Sequence, residues 1–231
     1  MGDNNSSRFK ARLIQANSNH SWGEKMDKDA GEMMIKVCQS LVKMLELSFQ
    51  GFRKYIEESF RKVDRVKNEV QKNSSELAHF LILKSSPYEK GKEWAKPYLS
   101  MASSLDRMSY NIEGIADCLK RKVENDILFS DQAVKEINLV FQEAMNLLER
   151  LPDLILTPNK LLAQNIGEEV RSVLKIANGY SEGHEERLMQ GVCTPKSSPI
   201  YLGVLESLKG IIVHVLEVSG KIVSISSQSR S

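Results

Sequence analysis

Three acids in the middle of the chain have a spacing suited to metal chemistry. Asp106, Glu113 and Asp117 share one stretch, and Glu113 and Asp117 are four residues apart. On a helix that spacing sets two carboxylates on adjacent turns of one face, both able to reach a single cation. The competing reading, which we prefer, is a solvated acidic edge beside Lys120 and Arg121. Histidine and cysteine add little to either reading. His20, His79, His184 and His214 share no ligand spacing with Cys38, Cys118 and Cys193, and no helix reads HExxH. His214 falls on the buried side of an apolar helix, where a satisfied core or interface histidine is expected. His184-Glu185-Glu186 stands in a polar stretch and reads as a solvated turn or helix start. No GxSxG elbow, GxGxxG turn or GxxxxGK[ST] loop is present. The expectation is a protein that is not an enzyme and carries no cofactor.

Composition narrows the class further. A formal net charge of +2 is too small for a nucleic-acid footprint. Three widely separated cysteines without a CxxC predict reduced thiols and a cytoplasmic protein. Unbroken apolar runs stay well short of about 18 residues, so no membrane span is expected. Nor does the polar, basic start read as a signal peptide. Six prolines and thirteen glycines in 231 residues favour long helices.

Those helices carry the strongest pattern. Tyr98, Met101, Leu105, Met108, Ile112, Ile115 and Leu119 alternate in steps of three and four, the stripe of a helix packed lengthwise against others. The stripe returns 103 residues later as Tyr201, Val204, Leu208, Ile211, Val215, Val218 and Ile222. Earlier helices repeat at the same offset: Ala30, Val37, Gln39, Leu45 and Glu46 are matched by Ala133, Val140, Gln142, Leu148 and Glu149. The pattern predicts an all-α fold, a tandem repeat of two three-helix units forming a six-helix antiparallel bundle.

The expected boundaries are a mobile tail at 1–26, a first unit at 27–125, a second at 126–223 and a polar tail at 224–231. Asp27 and Ser130 are the expected N-caps of the first helix in each unit. Phe60, Val63, Val66, Val70, Leu77 and Leu81 mark the second helix, whose opposite face of Arg61, Lys62, Arg65, Lys67 and Lys72 reads as solvated. Leu151-Pro152 is expected to end or kink the fourth helix. Thr157-Pro158 should open the fifth, with Pro at its first position, and 179–199 reads as loop. Gly203, Gly210 and Gly220 on the last helix predict close backbone approach at a seam or partner groove.

The third helix also carries a local motif. Leu105-Asp106-Arg107-Met108-Ser109-Tyr110-Asn111 is followed by Ile112-Glu113 and Gly114-Ile115-Ala116-Asp117. It resembles the PhoU-like phosphate-uptake regulators, which read Leu-Glu-Arg-Ile-Gly/Ala-Asp-His, two residues, then Asn-Ile-Ala-Glu. The resemblance implies regulation of phosphate uptake or sensing, with docking on a membrane transporter's cytoplasmic face or on a sensor kinase. It implies a cytoplasmic protein, peripheral to the inner membrane through such a partner. Family members can bind iron or zinc through acids four apart, but here Tyr110 stands four after Asp106, and Lys209 and Val213 take the matching places in the second unit. An ammonium at a ligand position repels a cation, so the metal role is expected to be lost. The alternatives are a metal-binding bundle using Glu113 and Asp117, and a structural adaptor unrelated to phosphate.

The last helix is apolar beyond its stripe. Leu205, Ile212, Val213 and Leu216 stand where the first unit has Ala102, Ser109, Tyr110 and Glu113. Either the second unit is more central in the bundle, or this face is covered by a homodimer contact or a partner. These four are the docking candidates.

Overall fold

A computed structural model of the chain describes residues 4–54, 57–85 and 89–228. Among them there is no strand. The helices are α1 (Asn4–Arg53), α2 (Glu57–Ser85), α3 (Glu89–Glu124), α4 (Asp131–Glu149), α5 (Leu151–Leu156), α6 (Lys160–Met189) and α7 (Ser198–Gln228). Helices α4 and α5 are one helix broken at Arg150, because Pro152 lacks an N–H and its ring crowds the carbonyl of Leu148. With that pair taken as one, the described residues form six helices in two runs of three.

Termini are set by local chemistry. Ser130 caps α4, its Oγ accepting from the Ala133 N–H at 3.2 Å. α3 stops in a Schellman turn: Asp126 has φ +52°, Ile127 N–H reaches Lys122 O at 2.8 Å and Asp126 N–H reaches Val123 O at 3.1 Å. α6 closes the same way, with Gly191 at φ +71° and Val192 N–H donating to Arg187 O at 2.9 Å.

Several boundaries differ from expectation. α1 begins at Asn4 rather than Asp27, and side chains before Lys28 lie outside the described residues. A methyl on Gly51 would fall 2.7 Å from the Phe60 ring, so the glycine near the end of α1 lets α2 fold back closely. The N-cap of α6 is Asn159, whose Oδ1 accepts from Leu161 and Leu162 N–H, and Pro158 precedes the helix instead of opening it. α6 then continues through the expected loop as far as Met189. Gly179 and Gly183 cost helix propensity, but the buried Ala177 and His184 on either side hold the turns in place. α7 likewise runs on to Gln228.

Both stripes are buried throughout, from Tyr98 to Leu119 and from Tyr201 to Ile222. Between them α3 and α7 form an antiparallel seam in steady register. Ser104 Oγ donates to Glu217 Oε2 at 2.8 Å. Methyl groups placed on Gly210, Gly114 and Gly203 would fall 2.7 Å from Asn111, 3.1 Å from Ser207 Oγ and 2.8 Å from Cys118 Sγ. Each step along α3 is matched by an equal step back along α7. Gly203 and Gly210 thus serve the seam, whereas Gly220 has nothing within 4 Å of its would-be methyl.

The offset of 103 also governs exposure on the second face of these helices. Ala102 and Leu205 are buried, as are Ser109 and Ile212; Tyr110 and Val213 are exposed; Glu113 and Leu216 are half-buried. The two units therefore bury the same positions with different chemistry. Of the two readings of the apolar second face, cover from within the bundle holds for Leu205 and Ile212. At the half-buried pair, Glu113 meets Lys67 of α2, while Leu216 lies against Gly167 of α6.

One helix among the described residues has the length and composition of a membrane span, Ser198–Ile225. Its apolar side chains form the bundle core: Val204, Leu208, Ile211, Val215 and Val218 are wholly buried.

Candidate functional site

The acids singled out by spacing are drawn to lysines. Glu113 Oε1 takes a hydrogen bond from Lys67 Nζ at 2.5 Å, and Asp117 lies 3.6 Å from Lys120 Nζ, which is equally close to Asp64. Asp106 is half-buried, and loss of water pushes its carboxyl above the usual range. No group of three or more metal-ligating side chains occurs among the described residues. Lys209 is engaged with Glu206 at 2.5 Å.

The docking candidates divide. Leu205 and Ile212 are wholly buried within the chain and have no surface to offer. Val213 is 38% exposed and Leu216 half-buried. A groove of about 540 Å³ of mixed polar and apolar lining lies elsewhere, between the end of α1 and the start of α4. Phe49, Phe52, Leu128 and Phe129 line it, with Arg53 and Lys122 at its edge and no acid among its lining residues. Arg53 stands over the Phe49 ring and Lys122 over Phe129, at 5.8 and 5.3 Å.

The densest polar chemistry is a buried cluster that spacing did not reveal. Glu136 on α4 is 3% exposed. Arg187 on α6 grips it with both terminal nitrogens, at 3.1 and 2.8 Å, and Tyr201 on α7 donates its hydroxyl at 2.5 Å. Gln132 donates to the same carboxylate from one turn earlier, at 3.0 Å. Three helices of the second unit are thereby tied at one carboxylate. Burial and the adjoining Glu136 push the Tyr201 phenol well above its ordinary range. The expected solvated turn at 184–186 is corrected here: His184 is on α6, 1% exposed and stacked on Tyr201 at 4.4 Å, with Nε2 2.8 Å from Ser198 Oγ. Burial, and secondarily Arg187, hold its imidazole below the usual range and so neutral. The signal missed was three helices apart in sequence: Glu136 lies on the inner face of α4, where an apolar residue belongs.

Beside this cluster is a cavity of about 140 Å³. The Schellman turn at Gly191 carries Cys193 and Thr194 across to the heads of α4 and α7, and the lining is shared between polar groups there and the apolar Leu128, Phe129, Ala133 and Val192. Thr194 Oγ1 donates to Ser197 Oγ, which donates to Thr194 O. Cys193 is within hydrogen-bonding reach of the Arg187 guanidinium.

The whole arrangement, a six-helix bundle with α3 and α7 at its seam, matches solved structures along nearly its full length. The phosphate transport system regulatory protein PhoU from Streptococcus pneumoniae aligns with a TM-score of 0.76, at 13% identity, over 89% of this chain and 97% of that one. The fold is that of PhoU. Two PhoU-like proteins from Shewanella oneidensis align at TM-scores of 0.53 and 0.55, with 11% and 10% identity, each over 86% of this chain and 99% of theirs. No protein-family model matches the sequence, and no curated protein does. The likeness to PhoU therefore lies in the bundle: at 13% identity it rests on apolar periodicity rather than on shared side chains.

Proposed function

We propose that the protein is a non-enzymatic accessory regulator of phosphate uptake or phosphate sensing, acting by docking on a transporter or a sensor kinase. The observation that carries this is the end-to-end likeness to PhoU, together with the PhoU-like motif from Leu105 to Asp117 on α3. Binding, not turnover, is what the surface supports. The groove at Phe49, Phe52 and Phe129 offers apolar contact, and Arg53 with Lys122 makes it complementary to an acidic segment of a partner. The protein then works in the cytoplasm, at the membrane only through that partner.

The experiment is complementation. In a bacterium deleted for its own PhoU, expression of this chain should restore control of radiolabelled phosphate influx, and a tagged chain should co-purify with a phosphate-transporter or sensor-kinase component from its native cells. If neither is seen with folded protein present at normal level, the reading is refuted.

A further inference from the structure

We infer that the groove between α2 and α3 is a binding site for an alkyl guanidinium group, its planar head paired with Asp106. Ser103, Asp106 and Tyr110 follow one another on α3 in steps of three and four, and Gln71, Ser75 and Ala78 on α2 in steps of four and three. Each set therefore occupies successive turns of one helix face. The two faces line a single groove of about 480 Å³, in which Asp106 is the one charged lining residue.

That carboxylate is uncommitted. Asp106 is half-buried and open to the groove, yet no hydrogen bond or ion pair joins its side chain to any described residue. Partial loss of water with no cation to offset it is what pushes its carboxyl upward. Lys67, one turn before Gln71 on α2, is held by Glu113 at 2.5 Å and stands over the Tyr110 ring at 5.6 Å. The Gln71 amide and the hydroxyls of Ser75 and Ser103 also make no hydrogen bond among the described residues, whereas Ser48, Ser109 and Ser219 bond back to their own helices. The groove thus presents one negative charge, several free polar groups, and apolar contact at Ala78 and Leu99. A guanidinium matches that set. Its fork gives two parallel N–H groups to a carboxylate and keeps others for hydroxyls and an amide, while the attached alkyl chain covers apolar surface. With one carboxylate in the groove, and no group of three metal-ligating side chains among the described residues, the match is to an organic cation rather than a metal ion.

The second unit shows what the first lacks. Offset by 103, Ser103 and Asp106 correspond to Glu206 and Lys209, which pair with each other at 2.5 Å. Gln71 and Tyr110 correspond to Leu174 and Val213. At this place the second unit supplies its own cation, and the first leaves its carboxylate to be met from outside. The site does not rest on the regulatory reading, since binding is measured on the isolated chain and complementation in cells.

The test uses the full chain, n-butylguanidinium chloride as the probe, and backbone amide chemical shifts as the readout. The probe should shift the amides of Ser75, Ser103 and Asp106 with half-saturation at or below about 5 mM, and leave those of Glu206 and Lys209 in place. n-Butylurea, which has the same shape without the charge, should bind at least about tenfold more weakly. An alanine-based helical peptide carrying one arginine separates the sources. Tighter saturation by the peptide than by the free probe assigns the group to an arginine side chain of a partner; the reverse order assigns it to a small metabolite; either supports the site. Asp106→Asn keeps the shape and removes the charge, and should weaken binding at least about tenfold with an unchanged circular dichroism spectrum. Ser103→Glu combined with Asp106→Lys installs the pair found in the second unit and should abolish binding. Absence of a saturable shift from either ligand up to about 20 mM would overturn the inference. So would equal shifts from n-butylurea, or affinity unchanged in folded Asp106→Asn.

Discussion

Gly210→Ala and Gly220→Ala are the same chemical change on the same helix, and the structure predicts opposite signs. In an exposed helix interior the substitution stabilises by roughly 1 kcal/mol, because alanine gives up less backbone entropy on folding. At Gly220 nothing lies within 4 Å of the new methyl, so that gain should appear in full. At Gly210 the methyl falls 2.7 to 2.9 Å from three atoms of the Asn111 side chain, inside van der Waals contact. Overpacking of this kind costs about 1–3 kcal/mol, which cancels or exceeds the propensity gain. The separation between the two variants should therefore be about 1–3 kcal/mol. For a chain of this length that corresponds to a melting difference of roughly 2–12 °C. Thermal unfolding followed by circular dichroism at 222 nm, with urea titration as a second measure, reads it directly. Asn111 can swing aside, so Gly203→Ala, which meets Cys118 Sγ at 2.8 Å, provides a second seam position. If both seam variants gain as much as Gly220→Ala, α3 and α7 do not approach as closely as described.

Three further outcomes follow from the polar contacts and the exposed surface. Glu136→Ala leaves Arg187 and the Tyr201 hydroxyl buried without their acceptor and should cost about 3–5 kcal/mol in urea unfolding, against a smaller loss for Glu136→Gln. Stability should fall with acid. His184 is held neutral by burial, so its contribution is complete above its ordinary pKa of 6.5 and is lost as the unfolded chain takes up the proton below it. Glu217, lowered chiefly by the hydrogen bond from His214, adds a second loss as pH falls below its ordinary 4.5. A melting profile against pH that stays unchanged in His184→Leu would contradict this assignment. Finally, Val213→Glu should leave the protein folded while Ile212→Glu should unfold it, because only Ile212 is wholly buried; comparable melting temperatures for the two would refute the placement of that face.

What the sequence made legible was whatever repeats along one helix. Both stripes, the core of α2 and the Ser130 cap depend on neighbours within a few residues, and each is found as read. The motif around Leu105 pointed to the right fold because its apolar frame is what the bundle requires. Contacts between helices were not legible. Glu136, Arg187 and Tyr201 meet across separations of 51 and 65 residues, and the spacing of α4 marks Glu136 as inward-facing without naming its partners. The stretch after Gly179 read as loop because glycine propensity is a local quantity, while His184 and Ala177 are held by packing. The apolar excess of α7 left two readings open, a central place in the bundle or an external cover, and α3, α4, α5 and α6 all lie against it.

The register of the α3–α7 seam carries a consequence for how such a chain arises. Ser104 faces Glu217, and Ser207 faces Gly114. Those are one contact seen twice, exchanged by the offset of 103 residues. A lone three-helix unit with such a face would be self-complementary, the condition for a closed twofold dimer with no open edge. Joining two copies through the short Asn125–Ser130 linker turns that assembly into a single molecule. Fusion also lifts a restriction. In a symmetric dimer every mutation is made in both copies; in the fused chain Gly114 and Glu217 can differ, and so can Leu81 and His184. One half is then free to remain scaffold while the other gathers polar chemistry.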